Sequence, residues 1–154
     1  VPRRRSRVPY PGMSALAERI KPLLPAFKKD DLEILIDLVV LVAYSDGEVD
    51  GAELTALGEA FEAILHSPLS PLVVKTLIGS SVDEIKAAGA DAFASQLGKE
   101  LREHGKGIDG VRLGFAIARA SDGLGRDERE RLLLVSEAAG LSAAEFAEIE
   151  SNPG

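Results

Sequence analysis

From Asp30 to Ser45 the chain reads DDLEILIDLVVLVAYS, and its apolar residues fall at nearly every angle around a helix. Leu32, Leu35, Ile36, Val39, Val40, Val42 and Ala43 leave no broad polar face, and a helix apolar all round belongs in the middle of a domain. Asp30-x-x-Glu33 is a capping-box pattern that opens it, and Gly47 follows as a glycine stop. A second helix of this kind is predicted over about 108–121, with Ile108, Val111, Leu113, Phe115, Ala116, Ile117 and Ala118. Two helices of this sort in 154 residues must be wrapped by the rest of the chain.

The remaining segments supply that wrapping. Residues 14–27 predict a short first helix interrupted by Pro22 and Pro25. Asp50-x-x-Glu53 opens a helix carrying Leu54, Leu57, Phe61, Ile64 and Leu65. Ser70-Pro71 is an N-cap with proline at the first helical position, for a helix to about Gly79. Ser81-x-x-Glu84 reads as a further cap, with a break near Gly89 and helix again to about His104. After Gly123 and Gly125 comes an acidic helix start with Leu132, Leu133, Val135 and Ala139; Gly140 stops it, and Ser142-x-x-Glu145 caps a last helix to about Glu150. No segment alternates apolar and polar residues in the manner of a strand. The expectation is an all-α fold, a compact bundle of about seven to eight helices.

Residues 39–61 and 115–136 are two versions of one pattern: an apolar helix, Ser-Asp-Gly, a short turn, an acid, and a leucine four residues after that acid. Asp46 pairs with Asp122, Gly47 with Gly123, Glu53 with Glu128 and Leu57 with Leu132, the second copy being one residue shorter. One copy per half is a duplication and not a solenoid. It predicts an internal pseudo-twofold, with the two apolar helices side by side at the centre.

The pair AYSDGEVDGAEL and ARASDGLGRDER, with the closing AAGLSAAEF, resembles the TerB-like family of tellurite-resistance and stress-response proteins over about residues 31–150. The resemblance implies a helical bundle with an acidic surface, a bacterial and cytoplasmic setting, and divalent-metal binding or scaffolding in stress-response complexes. The same domain type resembles an interaction module of some membrane-tethered DnaJ-like co-chaperones, with no catalytic site. The sequence departs from the family pattern at Ser45 and Ser121, where alanine is usual. It departs again at Leu124-Gly125-Arg126, where Arg126 puts a cation in place of a possible ligand.

Hard divalent cations take several oxygen ligands. Asp46, Glu48, Asp50 and Glu53 lie within eight residues, and Asp122 and Glu128 are their counterparts in the second half. These six are the candidate ligands, for calcium or magnesium. The spacing Asp46-x-Glu48-x-Asp50-Gly51 imitates the start of an EF-hand loop, but Leu57 stands where the bidentate acid is needed. The competing reading is purely structural: glycine stops, capping boxes, and acids that complement a helix N-terminus. Should the pseudo-twofold bring Asp46, Glu53, Asp122 and Glu128 together, a bound cation would explain keeping like charges close.

Catalysis is not indicated. His66 and His104 fall at predicted helix C-termini, where the helix dipole favours a cation, and neither belongs to a metal-binding histidine spacing. Gly105-Lys106-Gly107 lacks the spacing of a phosphate loop. There is no cysteine, which rules out disulfides, thiolate sites and thiol nucleophiles. The net charge is −7, and because residues 1–12 hold four arginines and no acid, residues 13–154 bear −11. Such a body disfavours nucleic acid and anionic lipid, and suits cations or a basic or membrane-associated protein partner. The longest apolar run, Leu38 to Tyr44, is far below the roughly 20 residues of a membrane span. Residues 1–12, VPRRRSRVPYPG, read as an extended arm before Met13, either a leader foreign to the natural chain or a basic tether.

Overall fold

The computed structural model describes residues 11–43, 51–121 and 125–151. They form eight α-helices and no strand: α1 (Pro11–Ile20), α2 (Leu32–Ala43), α3 (Gly51–Leu65), α4 (Pro71–Ala88), α5 (Ala90–Glu103), α6 (Gly107–Ser121), α7 (Arg126–Ala138) and α8 (Ala143–Ser151). Two 3-10 segments, Lys21–Ala26 and Lys29–Asp31, join α1 to α2. The first of them is the stretch broken by Pro22 and Pro25, as expected of residues that lack an N–H donor. The fold is the all-α bundle that the periodicity predicts.

The central position of α2 and α6 follows from their composition. Ile34, Leu35, Ile36 and every residue from Leu38 to Val42 are buried, as are Val111, Leu113 and Phe115 to Ala118. The two helices lie against each other. Gly114 of α6 leaves room for Leu132 of α7, whose Cδ2 would collide with a Cβ added there. The N-terminal ends of α2 and α6 also meet: His104 Nδ1 and Asp31 Oδ1 are 2.6 Å apart, and the Lys106 ammonium donates to the Ala26 carbonyl. Buried leucines then fasten the outer layer, Leu57 of α3 and Leu132 of α7 being the pair that the repeat predicts.

The duplication extends beyond the helix-turn-helix unit seen in the sequence. Helix α1 packs on α3 as α5 packs on α7; α1 packs on α6 as α5 packs on α2; α4 packs on α2 as α8 packs on α6. Exchanging α1–α4 with α5–α8 therefore maps these pairings onto one another. The match is not complete, because α4 also packs on α5.

Local details differ from the sequence reading at three places. Helix α1 begins at Pro11, ahead of Met13. The capping box before α2 is not Asp30-x-x-Glu33 but Lys28-x-x-Asp31: the Asp31 carboxylate accepts the Lys28 N–H at 2.7 Å, across a 3-10 turn. Helix α4 continues through Gly79 and Ser81 to Ala88, so Ser81 is not an N-cap but a buried residue in mid-helix. Gly79 has open space around it and no unusual backbone angle, so nothing there stops the helix. The break comes at Gly89, whose φ of +92° is the conformation glycine tolerates and other residues resist.

Two expected caps are formed. The Ser70 hydroxyl accepts the Val73 N–H at 3.2 Å. Ser142 and Glu145 make the reciprocal box, with Ser142 N–H to Glu145 Oε1 at 2.7 Å and Glu145 N–H to Ser142 Oγ at 3.1 Å. Helix α8 is then held on α6 and α7 by a compact group. Phe115 and Phe146 meet with ring centroids 5.3 Å apart; the Arg119 and Arg129 guanidiniums lie over these rings. Arg129 grips the Glu150 carboxylate with two bonds, and Arg119 donates to the Glu150 carbonyl.

Candidate functional site

In the sequence, the six candidate ligands follow the two central helices. Helix α2 ends at Ala43 and α3 begins at Gly51, so Glu53 is the third residue of α3. Helix α6 ends at Ser121 and α7 begins at Arg126, so Glu128 is the third residue of α7. The two glutamates thus hold equivalent positions in the two halves, as the repeat requires. Asp46, Glu48, Asp50 and Asp122 lie outside the described residues, and Gly47 with them.

Glu128 shows one local preference. Its carboxylate bends back over Gly125, so that a Cβ on Gly125 would come within 2.5 Å of the Glu128 Oε1. Gly125 precedes the first turn of α7 with extended backbone, and Asp127 and Glu128 follow in that turn, where the free N–H groups favour negative charge. Such a place suits an acid that complements a helix N-terminus, the structural reading of Glu128. Among the described residues, no group of three or more histidines, aspartates or glutamates is placed to hold a metal ion.

Two other groups of titratable residues come together, and neither was legible from motif spacing. The first ties the entry of α2 to the end of α5. Asp31, with its side chain 4% exposed, accepts both the Lys28 N–H and a bond from His104, whose side chain is a third exposed. Burial by itself would raise the Asp31 carboxyl; the Lys28 N–H and the His104 contact outweigh it and hold the group below its ordinary 3.8. The helix-end role expected of His104 is thus accompanied by a partner 73 residues away.

The second lies where α2, α4 and α5 meet. The buried Ser81 hydroxyl of α4 donates to the Asp37 Oδ1 of α2 at 2.6 Å. Burial pushes the Asp37 carboxyl up to about 6, the charges of Glu84, Glu33 and Glu100 push the same way, and the Ser81 hydroxyl opposes them. The one signal in the sequence was Asp37 itself, the single charge between Ile34 and Ala43.

The family model described as "Tellurite resistance protein TerB" matches residues 33–151. The chain belongs to the TerB family. The match runs from the first turn of α2 to the end of α8, so it takes in both central helices and both acidic segments of this TerB domain. No characterised protein matches the chain, and no solved structure matches it. No helix of the TerB domain's described residues is long and apolar enough to cross a membrane.

Proposed function

We propose that this TerB-family domain is a non-enzymatic module that takes a divalent cation, calcium or magnesium, at its acidic segments. The observation that supports the reading is the duplicated architecture. Helices α2 and α6 pack together at the centre with their N-terminal ends in contact. The two carboxylate-bearing segments therefore start from corresponding ends of two adjacent helices. In this reading Asp46, Glu48, Asp50 and Glu53 supply most of the ligands. Asp122 and Glu128 contribute less, because the second segment carries Arg126 and is shorter. The setting is the bacterial cytoplasm, in a stress response of the tellurite-resistance type.

Calorimetric titration of calcium, magnesium and zinc into the parent protein and an Asp46→Ala/Asp122→Ala double variant tests this. Saturable heat in the parent, reduced at least tenfold in affinity in the variant, is the expected result. An absence of heat with all three ions overturns the cation reading.

The second reading is a protein-interaction module that recruits a basic or membrane-associated partner without metal. The charge of −11 over residues 13–154 favours it. A pull-down from source lysate with and without chelator separates the two readings. A partner retained in chelator supports metal-free recruitment; one lost in chelator supports the cation.

A further inference from the structure

Asp37 faces α4 from the most apolar helix of the fold. It is only partly exposed, and its Oδ1 is fixed at 2.6 Å from the hydroxyl of Ser81, which is 2% exposed. The charges that act on it are carboxylates from three directions: Glu33 one turn earlier on α2, Glu84 one turn beyond Ser81 on α4, and Glu100 on α5. No lysine, arginine or histidine of the other helices against α2 (α3, α6 and α7) is among them. A carboxylate drawn out of water beside like charges, with one hydroxyl as its partner, is costly to keep ionised.

The helix that carries Ser81 packs on α2, α3 and α5. Val74, Ile78, Ser81 and Val82 are the buried residues of α4, whereas Leu72 and Val73 stand exposed in its first turn. A change in repulsion at Ser81 and Glu84 therefore acts directly on the face by which α4 meets α2.

We propose that the Asp37–Ser81 contact is a proton-operated joint: Asp37 takes up one proton in mild acid and α4 tightens onto α2, and release of that proton towards neutral pH slackens the same packing. The proton binds a carboxylate oxygen of Asp37 and removes one of four clustered negative charges, while the other oxygen still accepts the Ser81 hydroxyl. The joint is independent of the acidic segments, so it stands whether or not they bind a cation.

The sign follows from linkage. Asp37 binds its proton more tightly in the folded chain than in the unfolded one, so its contribution grows as pH falls through the folded value of about 6. From pH 7.5 to pH 5 the folded state is expected to gain up to about tenfold in its equilibrium over the unfolded one from this group alone.

The test uses the full chain in chelator-containing buffer. Carbon-13 NMR of the carboxyl groups should show Asp37 titrating near pH 6. The bond that the Ser81 hydroxyl donates to Asp37 stabilises the ionised form, so Ser81→Ala should move that titration higher still. Hydrogen exchange across Val74–Ile85, corrected for the intrinsic rate at each pH, should slow at pH 5 relative to pH 7.5. In Asp37→Asn, a neutral mimic of the protonated group, the difference should vanish. Titration of Asp37 near 4 in the parent overturns the joint, as does exchange of α4 that ignores pH. An unchanged pH response in Asp37→Asn assigns the effect to another group and overturns it equally.

Discussion

His66 ends α3 with a φ of +56°, and it is the one residue other than glycine with a positive φ among the described residues. The chain needs that angle because Ser67 N–H returns to the Glu62 carbonyl at 3.3 Å, the closure that follows a left-handed residue at a helix end. Glycine performs the same role without strain at Gly105 and Gly140, with φ of +71° and +90°. His66 is exposed, so its side chain can be removed with little loss of packing. His66→Gly is expected to stabilise the protein by about 0.5–1 kcal/mol, the left-handed penalty less the extra unfolded entropy of glycine. Urea denaturation at neutral pH measures it, and a fall in the midpoint would show that the imidazole contributes something at this helix end. The helix-end placement of His66 was readable from periodicity; its left-handed backbone was not, because no glycine marked the position.

At the scale of helices, local patterns were reliable where a cap is satisfied by its own turn and failed where a distant partner decides. Ser142-x-x-Glu145 and Ser81-x-x-Glu84 have the same form in sequence. The first is a cap, but the second sits inside α4 because Ser81 bonds Asp37, which is 44 residues away. The equivalence of Leu57 with Leu132, and of Glu53 with Glu128, was legible because it rests on matched spacing alone. Whether ligands from two loops converge depends on loop backbone, which helical periodicity does not encode. Close helix approach was not legible either, although glycines inside helices were visible. Gly98 in α5 lies so near α7 that an added Cβ would meet the Val135 carbonyl and stand 2.6 Å from the Ala138 Cβ. Backbone and a methyl group cannot move aside as a flexible side chain does. Gly98→Ala, favourable for an isolated helix by roughly 1 kcal/mol, is expected to destabilise the protein by about 2–3 kcal/mol through overpacking. A thermal midpoint that rises in Gly98→Ala would mean that α5 and α7 have room between them.

For the molecule as a whole, the question is what holds two similar halves in one arrangement. Apolar packing joins the halves along α1–α6, α2–α6 and α2–α5, but such contacts are non-directional and tolerate sliding better than hydrogen bonds do. The polar tie at the N-terminal ends adds register. Asp31 belongs to the first half and His104 to the second, and their 2.6 Å contact is reinforced by Lys106 reaching Ala26. Because the Asp31 carboxyl is held below its ordinary 3.8, its contribution is complete above that value and is lost as pH falls through the lower folded value. The protein should therefore lose stability below about pH 4, opposite in direction to the effect of Asp37, and the two are separated on the pH axis. Asp31→Ala leaves His104 and the Lys28 N–H without their acceptor, at a cost of about 2 kcal/mol at neutral pH, the usual range for a hydrogen bond to a charged group. The same variant should flatten the decline in stability between pH 4 and 2. Denaturant unfolding of parent and variant at pH 7, 4 and 2.5 reads both quantities. Curves that stay parallel across the three values would show that this tie does not couple the halves to protonation. Curves that converge in acid identify Asp31–His104 as the polar clasp that sets one half against the other.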